Sequence, residues 1–169
     1  MKKFVLFLAI GLMFGATTLK AQATKFGYVN SQELLSMMPD VSKADTALKV
    51  YAKSFQDQLD AMSKEYDKKV QDFQANEKTM TDAVKEVKYK EIQQLQERMQ
   101  STNESAQEKV ANKRQELYKP LLEKADKAIK EVAKEKGYDY VFDASAGSLL
   151  YAKETDNILP LVKAKLGIK

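Results

Sequence analysis

The sequence contains no cysteine and no histidine. Disulfide and thiolate chemistry are therefore excluded, and no imidazole exists to ligate a metal or act as general base near neutral pH. Tryptophan is also absent, and the six glycines are scattered. No glycine-rich loop is available to cradle a phosphate. The remaining paired carboxylates are Asp139 and Asp143, four residues apart on one face of an expected strand. Such a pair suits acid–base work or calcium binding, but turn capping and strand-edge solvation are the plainer roles. No enzymatic activity, metal site or cofactor is expected.

Long apolar runs are scarce. The exception is "FVLFLAIGLMFGA", residues 4–16, preceded by Lys2 and Lys3 and followed by "TTLKAQA". A basic start, a short apolar core and small residues at Ala21 and Ala23 describe a secretory signal peptide, with cleavage after residue 21 or 23. The run is short for a bilayer span; an uncleaved anchor is the alternative. The expected location is therefore outside the inner membrane.

An excess of one charge is lacking too. The whole chain carries 28 basic and 24 acidic residues, but Lys2, Lys3 and Lys20 belong to the expected signal, which leaves 25 against 24. A nucleic-acid binder usually concentrates basic residues on one face; no nucleic-acid partner is expected.

Between Asp40 and Lys119, 80 residues pass without glycine or proline. Lys, Glu, Gln, Ala, Met and Leu dominate the segment, which favours helix. Leu48, Tyr51, Phe55, Leu59, Met62, Tyr66, Val70 and Phe73 are spaced 3, 4, 4, 3, 4, 4, 3 and make one apolar stripe. A weaker stripe follows as Val84, Val87, Ile92, Leu95, Met99, Ala106, Val110 and Leu117. Between them, "NEKTMTD" (76–82) has only Met80 as a large apolar residue. Two helices folded back about Met80 are expected, with Thr79 or Thr81 capping the second; one unbroken helix is the alternative. Pro39 and Pro120 lie almost equally far from Met80, so the fold-back brings them to one level. Each arm is then roughly 55–60 Å long. Val50, Met80 and Tyr89 fall off the main rows.

The ends form a second unit, residues 24–39 and 120–169. "KFGYVN" (25–30) reads as a strand, and Asn30 with Glu33 suits a capping box before "QELLSMM". After Pro120 the helix is expected to resume and to stop at Gly137. "GYDYVFDASAGSLLYA" (137–152) alternates apolar residues around "SAG" and reads as a β-hairpin. A last helix runs through "DNILPLVKAKLG", with Asp156 as its cap. A lone hairpin is marginal but can pair with the N-terminal strand; a unit of about 66 residues still has a small core, and a three-stranded sheet leaves open edges. Both problems vanish if several chains close their strands around one axis. The expected class is α+β, mostly helical: a long antiparallel helical hairpin projecting from a small β-body.

"KFGYVNSQELLSMMPD", the charged helical hairpin, "AIKEVAKEKGYDYVFDAS" and "LLYA" together resemble the Skp (OmpH) family of periplasmic chaperones. The resemblance spans the chain beyond the signal. It implies a homotrimer in which strands of three chains build the central body and three arms project around a cavity. It implies ATP-independent holding of unfolded outer-membrane β-barrel proteins in the periplasm, with Val50, Met80 and Tyr89 as candidate client contacts. On it, Phe26, Tyr28, Val29, Tyr138, Tyr140, Val141, Phe142, Leu149, Leu150 and Tyr151 belong to the oligomerisation body. The arm seam comprises Leu48, Tyr51, Phe55, Leu59, Met62, Tyr66, Val70, Phe73, Ile92, Leu95, Met99, Val110 and Leu117. Peripheral contact with membrane or lipopolysaccharide is a further implied partner, without an assignable residue. One departure stands out: the best-known members have basic arms, whereas residues 40–118 here carry 14 basic and 15 acidic residues. A structural coiled-coil adaptor with one dedicated partner is the competing reading.

Overall fold

A computed structural model describes residues 24–168. The expected signal peptide lies outside the described residues. The elements in chain order are β1 (Phe26–Val29), α1 (Ser31–Met37), α2 (Pro39–Asn76), α3 (Asp82–Lys136), β2 (Tyr140–Asp143) and α4 (Leu159–Leu166). Short 3₁₀ turns cover Glu77–Thr79, Ala144–Ala146 and Glu154–Asp156.

Helices α2 and α3 form the long antiparallel hairpin. Pro39 opens α2, where an N–H has no helical partner to lose. The reversal runs through Glu77–Thr79 and Met80, so the two-helix reading holds. Thr81 occupies the cap position of α3, but its hydroxyl makes no capping bond. Cross-links fix the register of the arms. Lys124 Nζ lies 2.9 Å from Asp40, Lys69 Nζ lies 2.8 Å from Glu91, and the Tyr118 hydroxyl donates to Asp45.

Two expectations about α3 change. The helix does not stop and resume at Pro120 but runs through it to Lys136. A proline there removes one i→i−4 bond and leaves the Glu116 carbonyl without that donor. Tyr118 and Leu121 pack against the body core on either side and keep both turns in line. In addition, Val84 and Val87 leave the inner stripe; they are 44% and 58% exposed. The seam of Ile92, Leu95 and Met99 continues backwards at 3–4 spacing to Lys88 and Lys85, which are half-buried. The valines sit one residue early, about 100° round the helix.

The body is built on a two-stranded parallel sheet. Phe26 pairs with Tyr140 and Val29 with Asp143. The hairpin expected over 137–152 does not form: β2 takes β1 as its partner, and residues 149–152 carry no strand. The physical reason lies at Asp143. Its Oδ1 accepts from the Ser145 N–H at 2.9 Å and the Ser31 N–H at 3.1 Å. These bonds start a 3₁₀ turn and bind it to the start of α1, so the chain leaves the sheet. On the other edge of β1, the Ile158 N–H donates to the Tyr28 carbonyl at 2.9 Å.

One core holds the body together. Val29, Leu34, Met38, Val41, Ala125, Ala128, Val132, Ile158, Leu159 and Val162 are buried against each other. Leu34, Ile158 and Val162 are fully enclosed. Caps set the ends of the elements around this core. Asn30 Oδ1 accepts from the Glu33 N–H at 3.0 Å. Gly137 ends α3 at φ 66°, and the Tyr138 N–H reaches the Ala133 carbonyl at 2.9 Å, a glycine C-cap. The cap position of α4 is Ile158, which makes no side-chain bond, and not Asp156; just ahead of it the Asn157 Oδ1 accepts from the Leu159 N–H at 3.0 Å. Asn157 also bridges to Tyr28, so the chain already turns there.

Candidate functional site

Alternation along the strands divides the body sheet into two faces. Gly27 and Val29 are buried, and Val141 is half-buried against the core. A side chain at Gly27 has no room: a Cβ there would lie 3.0 Å from the Tyr138 ring and 3.1 Å from Ile158. Phe26, Tyr140 and Phe142 occupy the opposite face. The Phe26 ring stacks on Tyr140 at 5.6 Å and on Phe142 at 6.1 Å. Nothing within the described residues covers this stack, and the three rings are about half exposed. Tyr28 completes the face, its hydroxyl donating to Glu154 at 3.2 Å.

The segment after the sheet continues the same surface. Leu150 is 96% and Tyr151 82% exposed, while Leu149 is half-buried. Phe26, Tyr28, Phe142, Leu149, Tyr151 and Lys153 line one groove of about 330 Å³. Of the ten residues assigned to the body from sequence, Val29 is buried and Tyr138 and Val141 pack on the core. Most of the others gather around this groove. A large aromatic patch open to water marks an interaction surface more often than a solvated one.

The arms present a different surface. All thirteen seam residues are buried or half-buried, with Met62 and Leu95 the most enclosed. Tyr51 and Phe55 meet edge to face at 5.1 Å, and Lys109 Nζ lies 5.8 Å from the Phe55 ring centroid. Val50 is 66% and Tyr89 57% exposed; Met80 is half-buried at the tip. A shallow groove of about 600 Å³ runs beside Val50, lined by Lys43, Thr46, Ala47, Tyr51 and Lys113. No local pattern announces this groove, because Lys113 approaches from the other helix.

The two carboxylates considered for catalysis are engaged with the backbone. Asp139 Oδ2 accepts from the Lys25 N–H at 2.7 Å. Asp143 Oδ2 accepts from the Ser31 hydroxyl at 2.6 Å. Burial pushes Asp143 up, but the Ser31 and Ser145 hydrogen bonds outweigh it and hold the carboxyl at about 2. Both residues therefore act as turn and strand-end acceptors.

The profile of the family described as "Outer membrane protein (OmpH-like)" matches residues 25–166. The chain belongs to the OmpH-like family. A solved structure shares the fold: an OmpH-like outer membrane chaperone from Caulobacter crescentus CB15 superposes with a TM-score of 0.75. It is 16% identical, over 85% of this chain and 83% of the other. At that identity the likeness concerns the fold. No curated protein matches the chain. The OmpH-like match begins one residue before β1 and ends at the last residue of α4. Body and arms are thus one family unit.

Proposed function

We propose that this OmpH-like protein is an ATP-independent holdase of the periplasm, which cages unfolded outer-membrane β-barrel proteins between helical arms. The neighbour in Caulobacter is described as an outer membrane chaperone. The observation that carries the reading is the division of surfaces. A 38-residue helix is rooted in the body at Val41 and beyond that pairs with its antiparallel neighbour as an arm, while the body's sheet presents a bare aromatic face. The arms suit a cavity wall. The face suits self-association.

In this reading three copies close the body around one axis. The open edge of β2, the Phe26–Tyr140–Phe142 stack and Leu149–Tyr151 form the contact between copies. Three arms, each about 55 Å long, then enclose a common space. Clients are held by many weak contacts at high effective concentration and leave when the outer membrane offers a better sink. Val50, Met80 and Tyr89 are candidate client contacts. The N-terminal residues 1–21 direct export.

Native mass spectrometry tests this. The mature chain is measured alone and after a urea-unfolded outer-membrane barrel protein is diluted into it. A trimer that gains one client is expected. A trimer that ignores the client overturns the general holdase and leaves an adaptor with one dedicated partner. A monomer overturns the assembly itself.

A further inference from the structure

The net charge of the arms conceals a banded arrangement. The cross-links Tyr118–Asp45 and Arg98–Glu65 fix which segments lie side by side. At the arm root, residues 43–53 and 109–119 carry seven Lys or Arg and two acids. Immediately above, residues 54–63 and 99–108 carry Asp57, Asp60, Glu104 and Glu108 and no basic residue. A cationic collar is therefore followed by an acidic band.

The two acids of the collar are already engaged. Asp45 accepts from Tyr118, and Glu116 lies 2.8 Å from Lys113 Nζ. At the boundary, Lys53 reaches up to Asp57 at 2.6 Å. Lys49, Lys109, Arg114 and Lys119 form no ion pair among the described residues. The collar also contains the groove of Thr46, Ala47, Val50 and Tyr51, with Lys43 and Lys113 at its margins. Apolar floor and cationic rim thus coincide here, as they do in the neighbouring groove where Arg114 and Lys119 flank Tyr118 and Leu122.

We infer that this root groove is a docking site for acidic, apolar stretches of unfolded polypeptide, and that the acidic band above it limits how far such a stretch extends along the arm. The inference deepens the holdase reading and rests on it. Charge complementarity selects the occupant: a carboxylate-bearing segment meets the collar's excess of positive charge while its apolar side chains cover Val50 and Ala47. Lys43 and Lys113 at the margins already have Asp40 and Glu116 as partners, and the collar's unpaired cations, Lys49, Lys109, Arg114 and Lys119, lie outside the groove's own lining. The same segment is repelled by Asp57, Asp60, Glu104 and Glu108. A basic stretch has the opposite preference. The arm then sorts a client by charge along its length, although its total charge is near zero.

The test uses the full mature chain. Two synthetic 20-residue peptides share one apolar pattern and differ in carrying Glu or Lys. A photoreactive residue placed at Thr46 reports the root, and one at Gln107 reports the band. The Glu peptide is expected to cross-link at Thr46 and the Lys peptide at Gln107. Raising salt from 50 to 200 mM should weaken both several-fold. The triple variant K49E/K109E/R114E should bind the Glu peptide at least about tenfold more weakly, as three reversed exposed contacts imply. Its Lys→Gln, Arg→Gln counterpart should lose less, which separates charge from misfolding. Equal affinity for both peptides, or unchanged binding by the triple variant, overturns the inference. So does charge-dependent binding of anionic lipid vesicles with no peptide bound, which assigns the collar to a membrane. Failure of the wild-type chain to keep an unfolded barrel protein soluble defeats the holdase reading separately.

Discussion

Replacing Leu150 with Asp tests the assembly at its most exposed apolar residue. In a single chain Leu150 is 96% exposed. A substitution at such a position normally changes stability by no more than about 0.5 kcal/mol. If copies of the chain cover it, the cost is very different. Full burial of a leucine contributes about 2 kcal/mol, and a buried unpaired carboxylate adds more. A closed trimer repeats the site three times by symmetry, so at least about 6 kcal/mol of assembly energy is lost. That corresponds to a shift of roughly 10⁴ in the dissociation constant. Sedimentation velocity across a dilution series reads it directly. The wild-type chain should remain trimeric where Leu150→Asp is monomeric. Val84→Asp, at an exposed position near the arm tip, should not move the equilibrium. An unchanged dissociation midpoint for Leu150→Asp refutes the assignment of residues 149–151 to the contact between copies.

Four further outcomes are expected. Ile158→Ala empties a fully enclosed core site and should cost about 2–5 kcal/mol, read as a lower midpoint in urea. Gly27→Ala forces a methyl group to within 3.0 Å of the Tyr138 ring; a loss of about 1–3 kcal/mol is expected, and unchanged thermal stability would show that the ring yields freely. Asp143 is held at about 2 in the folded chain, below the unfolded carboxylate value near 3.9. Its contribution is therefore complete above about pH 4 and lost as the pH falls towards 2. Because the site is open to solvent, about 1 kcal/mol is expected, and a pH titration of Asp143→Asn against wild type should show the difference vanish in acid. Leu95→Ala removes one of the most enclosed residues of the arm seam. Faster amide exchange is expected in α2 and α3 beyond the root, with body amides unchanged.

The arms were legible in the sequence because a helix seam is a local, periodic signal. The spacing of Leu48 to Phe73 placed every one of those residues on the inner side. Where the signal failed, phase was at fault: Val84 and Val87 are apolar but one position out of register, and lysine stems take the inner positions instead. Long side chains can line such a seam with their methylenes while their charged heads reach water. The body was less legible because its pairings are long-range. "YDYVF" was readable as a strand able to pair with β1, but the parallel register with a partner more than a hundred residues upstream was not. The bonds from Ser31 to Asp143 that redirect the chain span the same gap. Local alternation followed by "SAG" looks the same whether the chain doubles back or leaves the sheet.

A pair of helices has a geometric limit that connects these surfaces. Each helix of the arm has one neighbour, so its inner residues remain open along both flanks. Accordingly most of the thirteen seam residues are only half-buried. The body encloses ten residues in one core yet leaves Phe26, Tyr140 and Phe142 in water on its far side. Covering that face with further copies adds apolar burial where the fold already has its core. It adds nothing to the arms, whose stability stays at the low end of the molecule. An assembly built this way has a fixed base and compliant walls. In the proposed trimer the same division would combine a durable base with surfaces soft enough to follow clients of different sizes.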